Sequence, residues 1–280
     1  MEFRSEQARQ RYDDLVGLAA EVVVGLDFDG TLSPIVDDPA QAVVHPDGPR
    51  VLIDLARVVR AVVVVTGRPA EQVVELGRLQ EVAEALGPDD RLSVMGQYGN
   101  QRWDTTTRTV TSAEAPRGLE ALRAELPELL EKHDARDAYV EDKGLAVAVH
   151  TRRLPDPEEA FVRLEEALDD AAERHGLVLE PGRRVLEVRA PGMHKGLALR
   201  AALEEHGAGG VLFAGDDLGD LEAFEAVREL ADQGFPTLLV CSSSHEEEVL
   251  VNLADVLVDG PEGLVELLAS YAQDAAARRS

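Results

Sequence analysis

Residues 22–32 read Val-Val-Val-Gly-Leu-Asp-Phe-Asp-Gly-Thr-Leu. The five apolar residues at the start of this stretch predict a strand that is buried on both faces in a parallel sheet. The strand ends in two carboxylates, Asp27 and Asp29, and side chains two residues apart in an extended chain point to the same side. Gly30 then permits a turn, and Thr31 adds a hydroxyl. Acids at the carboxyl end of a buried strand are costly unless they bind a cation or take part in chemistry, so the stretch predicts a functional site.

The composition limits the possible classes of function. The chain has 280 residues, of which 45% are hydrophobic, so it can form one large domain or two smaller ones around a core. Its net charge of −26 argues against nucleic acid or an anionic membrane as a partner. The sequence shows neither a membrane-spanning apolar run nor a signal-peptide segment, and its single cysteine, Cys241, can form no internal disulfide. These features predict a soluble protein of the cytoplasm.

A second strand and turn predict a phosphate site. Residues 61–65 are Ala-Val-Val-Val-Val, a buried strand, and Thr66, Gly67 and Arg68 follow before a helix that begins near Ala70. A hydroxyl, a glycine and a guanidinium at the end of a strand and the start of a helix can bind a phosphate through main-chain N–H groups and positive charge.

Two later stretches carry further charges of functional type. Lys195 lies in the first turn of a predicted helix, where a cation gains nothing from the helix dipole, and this placement indicates a functional role. A buried strand over residues 210–214 is followed by Asp216, Asp217 and Asp220. Three carboxylates within five residues repel one another unless a cation lies among them, which predicts a metal site.

The segment between these two halves has a different pattern. From about residue 110 to 189, the order is helix, two strands, helix and two strands, which predicts a separate α+β layer with an antiparallel sheet. We therefore expect a core formed by residues 20–109 and 190–280 and an inserted cap at 110–189. An insert of this kind can close over a substrate and exclude water.

The four motifs, in this order and with an insert between the second and the third, resemble those of the haloacid-dehalogenase-like (HAD) phosphatases. The resemblance implies an α/β fold with a Rossmann-like parallel-sheet core and an inserted cap. It also implies that Asp27 is the nucleophile, forming an aspartyl-phosphate, and that Asp29 is the general acid and base. The residues that it implies for phosphate binding are Thr66, Gly67, Arg68 and Lys195.

The same resemblance implies a Mg²⁺ cofactor. Its expected ligands are Asp27, the main-chain carbonyl of Asp29, and Asp216, with Asp220 in support. The superfamily often has an asparagine before the last of these aspartates, where this chain has Gly219.

Within the superfamily, several stretches look like the trehalose-6-phosphate phosphatases. They are residues 27–35, the Glu-Asp-Lys-Gly at 141–144, the Leu-Glu-Val-Arg at 186–189, and the Gly-Asp-Asp at 215–217. The likeness implies hydrolysis of trehalose 6-phosphate to trehalose and phosphate. It further implies that Glu141, Lys143 and Glu187 bind the sugar hydroxyls through charge-assisted hydrogen bonds. A trehalose-6-phosphate synthase of the same pathway is then the protein partner to consider.

Other functions remain open at this point. One is the same chemistry on a different sugar phosphate or on a glycosyl-phosphoglycerate, because the loop at 96–99 lacks the histidine usual in the trehalose-6-phosphate phosphatases. A phosphomutase ranks lower, since it needs an intermediate that survives water. A non-catalytic sugar-phosphate sensor ranks lower too, because Asp27 and Asp29 are both present.

Overall fold

The computed structural model describes residues 2–36, 38–182, 184–242 and 248–279. The chain divides into two compact units, of which unit 1 comprises Met1–Thr111 and His194–Ser280 and unit 2 comprises Ser112–Met193. The sequence predicts the insert at 110–189 and the core from residue 20, whereas residues 1–19 lie in unit 1.

The helices and strands alternate through most of the chain. The strands are β1 (Glu2–Phe3), β2 (Val22–Leu26), β3 (Ala61–Val65), β4 (Leu92–Gly96), β5 (Gln101–Asp104), β6 (Thr111–Ser112), β7 (Tyr139–Asp142), β8 (Ala146–His150), β9 (Val178–Gly182), β10 (Val185–Arg189), β11 (Gly210–Gly215), β12 (Thr237–Ser242) and β13 (Val256–Val258). The α-helices are α1 (Glu6–Gly17), α2 (Gly48–Ala56), α3 (Ala70–Leu76), α4 (Leu79–Ala85), α5 (Arg117–Lys132), α6 (Pro157–Arg174), α7 (Lys195–His206), α8 (Leu221–Asp232), α9 (Glu248–Leu253) and α10 (Gly260–Arg279).

Unit 1 is a sheet with helices on both faces. The strand order is β1-β13-β12-β11-β2-β3-β4-β5-β6, in which the strands from β13 to β4 pair in parallel and β1 and β5 pair antiparallel to their neighbours. Alternate residues of β2 enter opposite cores, so that Val22 and Val24 pack with α1, α2 and α10 while Val23 packs with α7 and α8. The predicted α/β fold is confirmed, and both faces of β2 are apolar because helices cover both.

The first residues of the chain are an integral part of unit 1. The sequence predicts a helix over residues 6–20, and α1 begins at Glu6 and ends at Gly17. Its Tyr12 lies edge-to-face with Phe3 and with Tyr271 of α10, at ring-centroid distances of 5.5 and 5.7 Å. Because Tyr12 and Tyr271 are buried against each other, a core that began at residue 20 would leave α10 without this contact.

Unit 2 is a four-stranded antiparallel sheet, in the order β7-β8-β10-β9, with α5 and α6 packed on one face. Leucines of both helices form the core with Val147, Val149 and Leu186 of the sheet. The sequence predicts a turn around Pro181, but this residue lies within β9. β9 is an edge strand, and an edge position tolerates a proline because the missing N–H removes no necessary ladder hydrogen bond.

The topology brings the predicted motifs of unit 1 to one edge of the sheet. β2 lies between β11 and β3, and all three strands are parallel, so their carboxyl ends lie side by side. In the described part of the chain, no helix is both long and apolar enough to cross a membrane.

Candidate active site

Three buried carboxylates lie together where β2 and β11 end. Asp27 follows β2, whereas Asp216 and Asp220 follow β11, and each offers an oxygen atom within 4.8 Å of the other two. The main-chain N–H of Asp27 donates to the carbonyl of Ala214, at 2.9 Å, and thereby extends the pairing of the two strands up to the site.

Lys195 joins the two sides of this cluster. Its Nζ donates to Oδ1 of Asp27 at 2.5 Å and to Oδ1 of Asp220 at 2.7 Å. The side chain is buried, and α7 begins at this residue after His194, whose ring nitrogen caps the helix by accepting from the N–H of Leu197. The ammonium group is thus held inward against the carboxylates, despite the unfavourable position at a helix N-terminus.

The charges of the cluster do not balance. Burial raises the pKa of Asp27 well above its usual range, and the charge of Asp220 raises it further, while Lys195 opposes both effects. Burial, followed by the charges of Asp217 and Asp220, raises the pKa of Asp216 to about 8. Burial alone would lower the pKa of Lys195, but the carboxylates of Asp220 and Asp27 outweigh it and hold the pKa well above its usual range. One ammonium group therefore does not compensate three desolvated carboxylates.

These residues fit a divalent metal ion. Carboxylate oxygens are the ligands that hard cations such as Mg²⁺ prefer, and a second positive charge would offset the remaining negative charge. Asp220 uses one oxygen for Lys195, and its other oxygen accepts from the main-chain N–H of Asp216 at 3.0 Å. Asp220 therefore suits a supporting role, and Asp27 and Asp216 suit direct ligation.

The side chain of Asp29 lies outside the acidic cluster. Its two oxygens accept from Nε of Arg68 at 2.6 Å and from Nη2 at 2.7 Å, and the side chain is 40% exposed. Any contribution of Asp29 to metal binding must therefore come from its main-chain carbonyl, which is the role that the resemblance implies. The structure gives Arg68 a carboxylate partner at the position where the sequence predicts a phosphate ligand.

The predicted phosphate turn is fixed by a loop whose function the sequence did not reveal. Thr66 is buried, and its hydroxyl accepts from the N–H of Arg68 at 3.1 Å. The N–H groups of Gln97 and Tyr98 donate to the carbonyls of Arg68 and Thr66, at 2.9 and 3.0 Å. A β-carbon at Gly67 would lie 2.6 Å from the hydroxyl of Tyr98, so a larger residue at this position would have to displace the Tyr98 side chain.

Gln97 and Tyr98 can make these bonds because both have a left-handed backbone, with φ of 45° and 57°. Such values are uncommon for residues other than glycine and are retained where the surroundings enforce them. The signal in the sequence was the pair of flanking glycines, which indicates a tight loop but not what the loop supports.

The predicted sugar-binding residues lie on one face of the unit 2 sheet. Glu141 and Glu187 are both paired with Ala148 of the strand between them, and Glu187 is also paired with Glu180. Residues that are paired across strands share a face, so these carboxylates lie in one row on the face opposite the helices. Lys143 belongs to the same face and donates to Oε2 of Glu187 at 2.6 Å.

The same face carries an arginine and a histidine that the sequence pattern did not reveal as site residues. Arg189 is buried and pairs with Glu187 at 3.3 Å and with Glu180 at 3.2 Å, and His150 lies 3.0 Å from Glu141. Two-residue alternation from Glu187 leads directly to Arg189, and this signal could have found it. His150 could not be found in this way, because its position depends on the register of β7 against β8.

Comparison with known proteins identifies the family. The sequence model of the family described as trehalose-phosphatase matches residues 25–255, a range that includes every residue discussed above for the two units' sites. The chain belongs to the trehalose-phosphatase family. The predicted enzyme class, a phosphoric monoester hydrolase, is therefore confirmed at the level of the family.

Individual members of the trehalose-phosphatase family agree with this assignment. A probable trehalose-phosphate phosphatase of Sinorhizobium fredii is 30% identical over 210 residues, covering 73% of each chain. Two phosphatases of the family from Arabidopsis thaliana are longer, and the chain spans 66% and 64% of their length.

Solved structures support the fold. The C-terminal domain of the C. albicans trehalose-6-phosphate phosphatase is 18% identical and superposes with a TM-score of 0.76, covering 97% of this chain and 98% of that one. A haloacid-dehalogenase-like hydrolase of Bacteroides thetaiotaomicron is 14% identical with a TM-score of 0.64, covering 89% and 98%. The HAD-like fold of this trehalose-phosphatase family member is thereby confirmed.

Proposed function

We propose that this protein hydrolyses trehalose 6-phosphate to trehalose and phosphate, with Mg²⁺ as cofactor and an aspartyl-phosphate intermediate on Asp27. The observation that carries the proposal is the environment of Asp27 in a member of this family. Its carboxylate is buried, bound to the Lys195 ammonium, and within 4.8 Å of oxygens of Asp216 and Asp220.

In the first step, a carboxylate oxygen of Asp27 attacks phosphorus and the bond from phosphorus to the sugar oxygen breaks. Asp29 gives a proton to the departing alkoxide, which would otherwise be a poor leaving group. A carboxylate needs no deprotonation to act as nucleophile at neutral pH, and the contact with Lys195 reduces its repulsion of the phosphate.

In the second step, water attacks the phosphorus of the intermediate and the bond from phosphorus to Asp27 breaks. Asp29, now ionised, accepts the proton of the attacking water. The same carboxylate thus serves as acid and then as base, and Asp27 is regenerated.

We assign the phosphoryl oxygens to residues at the end of β3 and the start of α7. Thr66 and Gly67 supply a hydroxyl and a main-chain N–H, and Lys195 supplies charge. The sequence also predicts Arg68 as a ligand, but its guanidinium is bound to Asp29. Preorganised donors of this type stabilise the charge of the transition state, which is the largest contribution to phosphoryl transfer.

Mg²⁺ would be held by Asp27, Asp216 and the carbonyl of Asp29, with Asp220 as support. When bound, the ion supplies Lewis-acid stabilisation of the phosphoryl charge and balances the excess of carboxylates. Support for this assignment comes from the raised pKa of Asp216 and from the carboxylate character of all three side chains in the cluster.

Recognition of the sugar is assigned to the polar face of the unit 2 sheet. Glu141 and Glu187 are separated by one strand, which corresponds to about 10 Å, and the small side chain of Ala148 lies between them. Two carboxylates at this spacing can each accept hydrogen bonds from hydroxyls of one sugar. Lys143 adds a donor on the same face.

Two narrower assignments complete the proposal. A location in the cytoplasm is supported by the cysteine usage, since Cys241 is buried and without a possible internal disulfide partner. A trehalose-6-phosphate synthase is the pathway partner that would supply the substrate. The net charge of −26 supports a small-molecule substrate rather than nucleic acid or a membrane.

A phosphate-release assay over a panel of substrates tests the proposed function. The panel contains trehalose 6-phosphate, glucose 6-phosphate, a glucosyl-phosphoglycerate and p-nitrophenyl phosphate, each with Mg²⁺ and with EDTA. We expect kcat/KM for trehalose 6-phosphate to exceed that for the others by about tenfold or more, and EDTA to abolish turnover reversibly. A higher kcat/KM for another sugar ester would show that trehalose 6-phosphate is not the preferred substrate, and full activity in EDTA would exclude the proposed metal site.

A further inference from the structure

Arg68 makes a set of contacts that does not suit a phosphate ligand. Its Nε and Nη2 both donate to Asp29, and its Nη1 donates to the carbonyl of Pro39 at 2.9 Å. All three nitrogen atoms of the guanidinium are therefore already occupied by protein acceptors. These contacts use three of the five N–H groups, including the pair that forms the fork towards Asp29, so only one N–H on Nη1 and one on Nη2 remain for a phosphate.

The guanidinium is also held in place from other directions. It lies 5.9 Å from the ring centroid of Phe28, the residue between the two catalytic aspartates, and the Arg68 side chain is only 14% exposed. The main chain of Arg68 is fixed as well, because its N–H donates to Thr66 and its carbonyl accepts from Gln97. The end of β3 thus presents a rigid fork towards Asp29.

Asp29, in contrast, has little else to orient it. It is 40% exposed, and it follows β2 just before Gly30, whose φ of 75° turns the chain. The proposed reaction requires this carboxylate to transfer a proton twice in a fixed direction. A bidentate guanidinium contact fixes both oxygens at once, which a lysine ammonium cannot do.

We propose that Arg68 is a positioning residue for Asp29 and not a ligand of the transferred phosphoryl group. This inference rests on the proposed function, since it assumes that Asp29 is the acid and base. The three residues that follow β3 then have two different roles. Thr66 and Gly67 bind the phosphate, whereas Arg68 orients the proton donor Asp29.

The two roles predict different kinetics. Loss of a phosphate ligand slows both formation and breakdown of the aspartyl-phosphate, and it lowers the affinity for inorganic phosphate. Loss of the correct orientation of Asp29 slows only those steps in which Asp29 must donate or accept a proton. p-Nitrophenolate leaves with little need of an acid, so its release should remain fast, whereas the attack of water on the intermediate should become slow.

The test compares Arg68→Lys with the wild-type protein on p-nitrophenyl phosphate and inorganic phosphate, both with Mg²⁺. Lysine keeps the positive charge that a phosphate requires but loses the fork. We expect steady-state turnover to fall about a hundredfold, which is typical of a misplaced catalytic group. A rapid burst of about one p-nitrophenol per enzyme should precede it, because the intermediate then accumulates. Calorimetry should give a Kd for inorganic phosphate within about twofold of the wild-type value.

Arg60→Lys is the matched control, since Arg60 immediately precedes the opposite end of β3 and donates to the carbonyl of His206. It should show wild-type turnover and no burst. The absence of a burst in Arg68→Lys, or a rise of tenfold or more in its Kd for phosphate, would overturn the inference. Neither assay uses trehalose 6-phosphate, so a wrong sugar assignment would leave this result intact.

Discussion

Gly30 lies so close to Asp216 that any side chain at this position would have to displace the Asp216 carboxylate. A β-carbon there would lie 1.9 Å from Oδ2 of Asp216, and the φ of Gly30 is 75°. The loop after β2 and the loop after β11 therefore approach each other across the proposed metal site, and glycine permits the approach in two ways. It has no side chain to displace Asp216, and it tolerates a left-handed backbone.

Gly30→Ala should therefore impair metal binding more than it impairs folding. The added methyl group must push the Asp216 carboxylate away, and disturbance of a ligand in this way typically costs about 10- to 100-fold in metal affinity or activity. We expect the Mg²⁺ concentration for half-maximal phosphate release to rise by that order.

Gly234→Ala provides the control for backbone strain. Its φ is 82°, but a β-carbon there would meet no atom within 4 Å. Both variants should lose about 1 kcal/mol of unfolding free energy through the left-handed backbone. Only Gly30→Ala should require more Mg²⁺, and an equal Mg²⁺ requirement in both variants would refute the proposed ligand.

The sequence indicates some of these residues much better than others. The topology of an α/β sheet brings together residues that directly follow its parallel strands, as Asp27 follows β2 and Asp216 follows β11. Lys195 begins the helix that precedes β11, and it was indicated by this position. The pairing of Arg68 with Asp29 has no such signal, because 28 basic and 54 acidic residues allow many pairings. Their contact depends on the path of two loops, which local pattern does not determine.

At the scale of elements, α1 and α10 are joined by buried tyrosines. The hydroxyl of Tyr271 on α10 donates to the carbonyl of Leu15 on α1 at 2.9 Å, and the side chain is fully buried. Burial raises the pKa of Tyr271 above its usual range. The folded state therefore favours the neutral phenol more strongly than the unfolded state does.

This pKa shift makes the stability of unit 1 depend on pH in the alkaline range. A group whose pKa is raised on folding contributes stability fully below its unfolded pKa, here about 10, and loses that contribution as pH rises above it. At pH 8, Tyr271→Phe should be less stable than wild type by about 1 kcal/mol, since one hydrogen bond is lost. The loss is not larger, because the carbonyl of Leu15 still accepts a hydrogen bond from the N–H of Leu18.

Between pH 10 and pH 11, the wild type should lose up to about 1.4 kcal/mol that the phenylalanine variant cannot lose, so the difference should shrink or reverse. Urea unfolding followed by the fluorescence of Trp103 measures this difference, because Trp103 is the one tryptophan of the chain and is buried in unit 1. A constant difference from pH 8 to pH 11 would contradict the explanation.

Sequence pattern predicted the type of most elements but not their limits. The strands β2 and β3 can be predicted from the sequence, because each is a continuous apolar run that is buried on both faces. The sequence predicts a strand over 137–141, but β7 covers Tyr139–Asp142, since the N–H of Ala138 donates to the carbonyl of Ala135 in a turn that precedes the strand. Such turns involve ordinary residues, and only the tertiary structure decides where they end.

At the scale of the whole molecule, a strongly acidic chain must bind an anionic substrate. The net charge of −26 repels a phosphate ester at long range, so binding has to depend on local groups, among which we include the proposed metal ion. The division into two units fits a division of tasks, in which we assign the proposed chemistry to unit 1 and the choice of sugar to unit 2.

This division predicts that the carboxylates of unit 2 affect only the sugar substrate. Glu141→Ala and Glu187→Ala should each lower kcat/KM for trehalose 6-phosphate by about thirty- to a thousandfold, corresponding to about 2–4 kcal/mol for a lost charged hydrogen bond. Hydrolysis of p-nitrophenyl phosphate should change far less, because this ester has no sugar hydroxyls.

Asp142→Ala is the matched control, because Asp142 is adjacent to Glu141 but lies on the opposite face of β7 and pairs with Arg123 at 2.5 Å. It should behave as wild type with both substrates. Equal losses on both substrates in the glutamate variants would indicate a role in folding instead of recognition, and no loss would remove these residues from the site.

The most direct test of the account is chemical trapping of the intermediate on Asp27. The enzyme is mixed with trehalose 6-phosphate and Mg²⁺, quenched during turnover and reduced with borohydride, which converts an aspartyl-phosphate to homoserine. Peptide mass spectrometry should find homoserine at residue 27 in the wild-type protein, and Asp27→Asn should show neither this product nor more than about a hundredth of the wild-type rate. Rapid phosphate release without any modification at residue 27 would contradict the mechanism.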